Sequence, residues 1–222
     1  MPDLAILGGT FNPVHLGHLL MAEAALTQRP LDQVLWIPTQ NPPYRLETAL
    51  TPFHHRLAMV RLAIAPHPAF ALSDLEQRRS GASYAIDTWE DLQQQFPGNT
   101  WSWIVGLDTF RTLPKWYRID DMVTACQWLV APRPLDRFFF TSNLDSAQTS
   151  TDPQSLCETV AQHFAGRSLP LQWHLLEMPA IGISASLIRH YLQGDRSIRY
   201  LVPESVRTYI AQHNLYKTNI NS

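Results

Sequence analysis

With 222 residues the chain is long enough for one large domain or a domain with an insertion, and such a chain buries roughly 70% of its unfolded surface. Seventeen basic against 19 acidic residues, a formal charge of −2, exclude the broad positive footprint of a nucleic-acid binder. No apolar run approaches the ~20 residues of a bilayer span, and the start Met1-Pro2-Asp3 carries no basic, cleavable signal, so the expected location is the cytoplasm with no membrane partner.

Strand and helix patterns alternate from the N-terminus. An apolar run, Leu4 to Leu7, leads through Gly8-Gly9-Thr10-Phe11-Asn12-Pro13-Val14-His15 into a helix predicted over Leu16 to Thr27. Two adjacent glycines let main chain approach a ligand, and the amides and dipole of the following helix favour negative charge, so this turn is read as a phosphate site. His15 and His18, three apart, share one helix face. Their spacing also raises zinc, but no Glu stands between them and no third ligand is evident, so no protein-bound metal is expected.

Next come a strand at Val34 to Ile37, a helix at Pro52 to Ala65 with Thr51 and Pro52 as its N-cap and first residue, and a strand at Phe70 to Leu72. A helix at Tyr84 to Phe96, with Ser83 as its cap, leads to a strand at Thr100 to Val105; further strands are predicted at Gln127 to Ala131 and Gln172 to Leu176. The β/α rhythm predicts a Rossmann-like, doubly wound, mostly parallel sheet flanked by helices, with ligands beyond the carboxyl ends of the strands. Asp136 to Pro170 interrupts the rhythm and reads as an insertion or mobile excursion containing a helix at Leu156 to Phe164. The end is helical, at Ser186 to Gln193 and Pro203 to His213. No repeat or linker divides residues 1–222 into two domains. Cys126 and Cys157 lack metal or disulfide spacing and are expected as buried thiols.

Ile183-Ser184-Ala185-Ser186-Leu187-Ile188-Arg189 opens the first C-terminal helix with two hydroxyls, then an arginine that opposes the helix dipole. An anion shared by Arg189 and the helix amides would resolve that conflict, as would a carboxylate partner or solvent.

Together these segments resemble the bacterial nicotinate mononucleotide adenylyltransferases of the nucleotidyltransferase superfamily. The likeness rests on the Gly8–His18 block, Asn41-Pro42-Pro43-Tyr44-Arg45, Ser83 to Thr88, Gly106-Leu107-Asp108, Leu113 to Trp116, Arg133-Pro134, the Ile183–Arg189 block and the stretches 198–203 and 209–216. The resemblance implies that the phosphate of nicotinate mononucleotide attacks the α-phosphorus of ATP, releasing pyrophosphate, with no protein nucleophile. Orientation and electrostatic stabilisation then dominate. Magnesium is expected with ATP, carried by phosphates and water; a homo-oligomer is compatible with the sequence.

By the same resemblance, His15, His18 and Arg189 stabilise charge, His18 becoming protonated or more strongly hydrogen-bonded as pyrophosphate departs. Gly8, Gly9, Thr10, Phe11, Gly106, Asp108, Ile183, Ser184 and Ser186 are expected around ATP. Asp108 would accept ribose hydroxyls, or alternatively cap a helix from Thr109 to Leu113. Asn12, Arg45, Tyr84, Ala85, Trp116, Tyr117 and Arg133 are expected around the acceptor. The Trp116 ring would lie against the pyridine, whose carboxylate would meet main-chain amides at Ala85 and Tyr117. Ala85 replaces the family's usual threonine, Arg45 keeps a cation where a neighbouring imidazole is lost, and Arg133, between two prolines, also fits a simple turn. Use of the nicotinamide mononucleotide, dual specificity, or a nucleotide-binding regulator without turnover stay open as alternatives.

Overall fold

The computed structural model describes residues 2–43, 50–132, 152–179 and 181–217. Its elements follow in the order β1 (Leu4–Gly9), α1 (Leu16–Gln28), β2 (Gln33–Pro38), α2 (Phe53–Ile64), β3 (Phe70–Leu72), α3 (Ala85–Gln95), β4 (Trp101–Gly106), α4 (Leu107–Phe110), β5 (Gln127–Ala131), α5 (Pro153–Ala165), β6 (Gln172–Leu175), α6 (Ala185–Gln193) and α7 (Glu204–Gln212). The strands form one parallel sheet in the order β3-β2-β1-β4-β5-β6. This is the doubly wound arrangement expected from the β/α rhythm.

Strands buried on both faces read as near-continuous apolar runs, and the four central strands do, with Ser102 of β4 as a buried polar exception. Along β1, Leu4 and Ile6 enter one core layer while Ala5 and Leu7 enter the other; along β5, Trp128 and Val130 alternate in the same way with Leu129 and Ala131. The first layer is closed by Ile86, Trp89 and Leu92 of α3 and by Cys157, Val160 and Phe164 of α5. The second is closed by α1, α2, α6 and α7, with Ala22, Ala24 and Ala25 as the small contact residues of α1. No helix among the described residues is long and apolar enough to cross a membrane.

Several local expectations are corrected. The helix inside the supposed 136–170 excursion is a core element, the crossover between β5 and β6, because its apolar stripe is buried against the sheet; residues 136–151 lie outside the described residues. Pro52, not Thr51, is the N-cap of α2, and Tyr84, not Ser83, is that of α3. Thr51 and Ser83 are drawn into tertiary contacts instead: the Thr51 carbonyl accepts from Arg56, and the Ser83 hydroxyl accepts the Asn41 N–H. Asp108 does not cap a helix beginning at Thr109. It lies in the first turn of α4, which Gly106 caps.

The sheet opens where the strand order reverses. β1 and β4 pair from Leu4↔Trp101 only as far as Ile6↔Trp103, although β1 runs on to Gly9 and β4 to Gly106. The β1–β2 ladder, by contrast, continues to Gly9↔Pro38. The crevice at the carboxyl ends of β1 and β4 is therefore built into the register.

Candidate functional site

Two cavities, of about 380 and 310 Å³, open from that crevice and share Gly8, Gly9, Thr10, Val105, Asp108 and Thr109 as a common wall. They are two lobes of one cleft. The smaller lobe gathers Phe11, His15, His18, Ile183, Ser184 and Ser186; the larger gathers Tyr84, Ala85, Trp116 and Tyr117.

The smaller lobe is bordered by the first residues of two helices, Gly17 and His18 of α1 and Ala185 and Ser186 of α6. Two helix N-termini aimed at one space make it favourable for an anion. The β1–α1 turn brings Phe11 edge-on to His18, with ring centroids 5.0 Å apart, at a left-handed φ of 46°. His15 and His18 stack at 3.7 Å with their planes 25° apart. Gly17 stands close against this pair: a Cβ there would lie 3.0 Å from Nδ1 and Cε1 of the buried His15 ring, so the ring would have to give by a few tenths of an ångström.

Nδ1 of His18 accepts the backbone N–H of His15 at 3.2 Å. A backbone amide can only donate, so Nδ1 carries no proton and Nε2 holds the ring N–H in the neutral imidazole. Protonating Nδ1 would place two donors face to face.

The Ser184 hydroxyl caps α6 by accepting the Leu187 N–H at 3.1 Å. Arg189 is the fifth residue of α6, one turn in from that end. Its Nη1 donates to the Asn12 carbonyl (2.8 Å) and its Nη2 to the Ser186 hydroxyl (3.2 Å), so α6 is tied to the β1–α1 turn. Asn12 is displaced from its expected place. At 1% exposure it sits behind the turn and lines neither lobe.

The larger lobe is walled by aromatic rings. Trp116 meets Trp103 and Trp128 edge to face at 6.4 and 5.9 Å, and its Nε1 donates to the Thr112 hydroxyl at 3.1 Å. Tyr84 and Tyr117 lie 4.6 Å apart at the rim. Asp108 borders both lobes, and Gly106 makes room for it, since a Cβ there would meet its Oδ1 at 2.6 Å. Arg45 and Arg133 lie outside the described residues.

Two residues were not singled out in the sequence. The Arg56 guanidinium, 1% exposed, donates to the carbonyls of Thr10 (2.9 Å), Thr39 (2.6 Å), Gln40 (3.1 Å) and Thr51 (2.9 Å), and so fixes the β1–α1 turn against the end of β2. Burial pulls its pKa down, while Tyr216 and Glu76 act in the opposite direction. Glu76 is also buried; it accepts the Gln40 N–H at 3.0 Å and the Thr88 hydroxyl at 2.6 Å, in the wall of the larger lobe. The available signal was weak: a charged residue inside an apolar helical pattern for Arg56, and a carboxylate in a polar loop for Glu76. Both cysteines are buried, as expected, and burial raises both thiols, Cys157 to about 12.

Comparison with known proteins agrees with this geometry. Residues 6–191 match the cytidylyltransferase-like family. A probable nicotinate-nucleotide adenylyltransferase of Nostoc sp. is 49% identical over 97% of this chain and 98% of its own length. One of Oceanobacillus iheyensis is 37% identical, with 97% of each chain covered. The fold is shared with the Plasmodium falciparum nicotinic acid mononucleotide adenylyltransferase complexed with NaAD, at a TM-score of 0.73, 19% identity and coverage of 97% of this chain and 98% of that one. Such similarity across almost the whole chain makes this protein a member of the cytidylyltransferase-like family, among its nicotinate-nucleotide adenylyltransferases.

Proposed function

We propose that this chain transfers AMP from ATP to the phosphate of nicotinate mononucleotide, giving nicotinate adenine dinucleotide and pyrophosphate. The observation that carries this is the shared wall: two lobes of different chemistry meet at Gly8-Gly9-Thr10 and Asp108, where an acceptor phosphate and an α-phosphate could be held side by side.

An acceptor phosphate oxygen forms the new bond to the α-phosphorus as the bond to the pyrophosphate oxygen breaks. Both partners are anions, so the protein's part is to align them and offset the charge that moves onto the leaving group. His18 offers Nε2–H, His15 supports it by stacking, and Arg189 supplies a permanent positive charge. Gly8, Gly9, Thr10 and Phe11 and the ends of α1 and α6, at Ile183, Ser184 and Ser186, cradle the ATP phosphates. Asp108, beside Gly106, faces the shared wall, where a carboxylate can accept ribose hydroxyls. Trp116 supplies the flat face for the pyridine ring, with Tyr84, Tyr117 and the main chain at Ala85 around it.

Magnesium enters with ATP. Its ligands are expected to be phosphate oxygens and water; among the described residues no group of three or more His, Cys, Asp and Glu side chains gathers that could hold a metal ion. When bound, it neutralises phosphate charge. Residues 1–222 are read as one nucleotidyltransferase unit, because all six strands belong to a single sheet.

The deciding experiment is pyrophosphate release from magnesium ATP with either nicotinate or nicotinamide mononucleotide, with the product identified by mass. Strong preference for the acid is expected, main-chain amides reading the carboxylate without a hydroxyl at Ala85. Equal use of both would make the protein a dual-specificity enzyme. ATP binding without release would make it a nucleotide-binding regulator.

A further inference from the structure

We propose that Tyr216, beyond α7, is a positioning residue for adenylyl transfer: by holding Asn12 it fixes the turn that presents His15 and His18, making the C-terminal segment a working part of the smaller lobe. The inference rests on the transferase function proposed above.

Asn12 receives two donors from distant parts of the chain. Arg189 reaches its main-chain oxygen and the Tyr216 hydroxyl reaches its Oδ1 at 2.9 Å. Since Asn12 is buried and lines neither lobe, its side chain serves the framework rather than a ligand. The Thr51 hydroxyl is hydrogen-bonded to the same phenol, and the Thr51 carbonyl accepts from Arg56, which holds the Thr10 carbonyl. Tyr216 therefore grips the turn on both sides of Phe11.

The backbone around Tyr216 is itself held in unusual geometry. Asn214 and Tyr216 adopt φ of 49° and 66°, a left-handed region disfavoured by any residue with a Cβ. Leu215 and Tyr216 pack on the second core layer, and the Leu215 N–H reaches the Ile210 carbonyl of α7 at 3.1 Å. These contacts aim the phenol inward. Burial raises its pKa to about 12, so the hydroxyl keeps its proton for Asn12 across the neutral range.

Tyr216→Phe keeps the ring and removes the donor, leaving a buried carbonyl oxygen without it. With both substrates saturating, kcat is expected to fall about tenfold, equivalent to about 1.4 kcal/mol, while KM for nicotinate mononucleotide stays within about twofold. Amide exchange should accelerate at residues 14–19 and stay unchanged in β4 and β5. Thr51→Val, which loosens the phenol from its other side, should shift kcat and the same amides in the same direction, and serves if Tyr216→Phe does not fold. Unchanged kcat with unchanged exchange at residues 14–19 overturns the proposal. So does a uniform rise in exchange with a lower Tm and normal kcat, which would make Tyr216 ordinary packing. If the unaltered protein releases no pyrophosphate with either mononucleotide, the transferase function falls, and the exchange pattern alone then decides whether Tyr216 holds the turn.

Discussion

The two lobes of the cleft are built by opposite strategies. The smaller one draws most of its lining from two short stretches, the β1–α1 turn and the start of α6, joined by the ends of β4 and β5, and offers backbone amides and two imidazoles, with Arg189 tying the two stretches together. The larger one is assembled from the ends of β1, β2 and β4 and the segments around Glu76, Tyr84 and Trp116, and offers aromatic faces. A phosphate chain can be recognised by local main-chain geometry, because its oxygens are equivalent and its charge is large. A flat heteroaromatic ring needs walls on several sides, which only distant segments brought together can supply.

Substitutions in the two lobes should therefore separate kcat from acceptor KM. The largest effect is expected for His18→Ala, where loss of a donor aimed at developing charge lowers kcat by about 10²–10³ and leaves acceptor KM nearly unchanged; pyrophosphate-release kinetics at saturating ATP check it. Trp116→Ala should do the reverse, raising acceptor KM about tenfold through loss of roughly 1.4 kcal/mol of contact with little change in KM for ATP. Trp116→Phe should recover most of that loss, because a ring face remains.

Gly17→Ala gives a subtler contrast within the smaller lobe. Alanine is favoured over glycine in helices, by about 1 kcal/mol in the interior and by less at the second position that Gly17 holds, and here its Cβ would press on the His15 ring at 3.0 Å. The expected result is no gain in Tm and a kcat about fivefold lower, because the displaced imidazole also moves His18; a fivefold change is about 1 kcal/mol. Higher Tm with full activity would show that the stack is not needed.

The smallest effect lies outside both lobes. His55 bonds to the Tyr209 hydroxyl at 2.9 Å on the α2–α7 face, near His54 and His213. Burial, then the two neighbouring imidazoles, pull its pKa below 6.5. On acidification through 6.5 the unfolded chain takes up this proton first, so the contribution of His55 to stability declines as pH falls and levels off below its folded pKa. His55→Gln should flatten the fall of Tm below pH 6.5 without altering either substrate's KM at neutral pH.

The two cleft strategies also explain how much could be read in advance. The strands were legible because central parallel strands are near-continuous apolar runs, as in Leu4–Leu7 and Trp128–Ala131. The smaller lobe was legible because most of its polar lining lies within two short blocks, at residues 8–18 and 183–186. The helix caps were not: Thr51 and Ser83 have capping hydroxyls, but Tyr216 and the Asn41 N–H claimed them. Asn12 went astray for a similar reason, since nothing near it in sequence announces Arg189 or Tyr216 as its partners.

The sequence by itself determined the alternation of elements, the glycine-rich turn with its two histidines, and the serine-capped helix that carries Arg189, because each depends on neighbours within a few residues. Tertiary structure decided where the β1–β4 ladder ends, that α5 belongs to the core, that Glu76 joins the wall of the larger lobe, and that Arg56 and Tyr216 stand behind the cleft. Those outcomes depend on which buried donors and acceptors find one another across dozens to hundreds of residues, and the cost of leaving a buried polar group unpaired makes such pairings decisive only once the chain has closed around them.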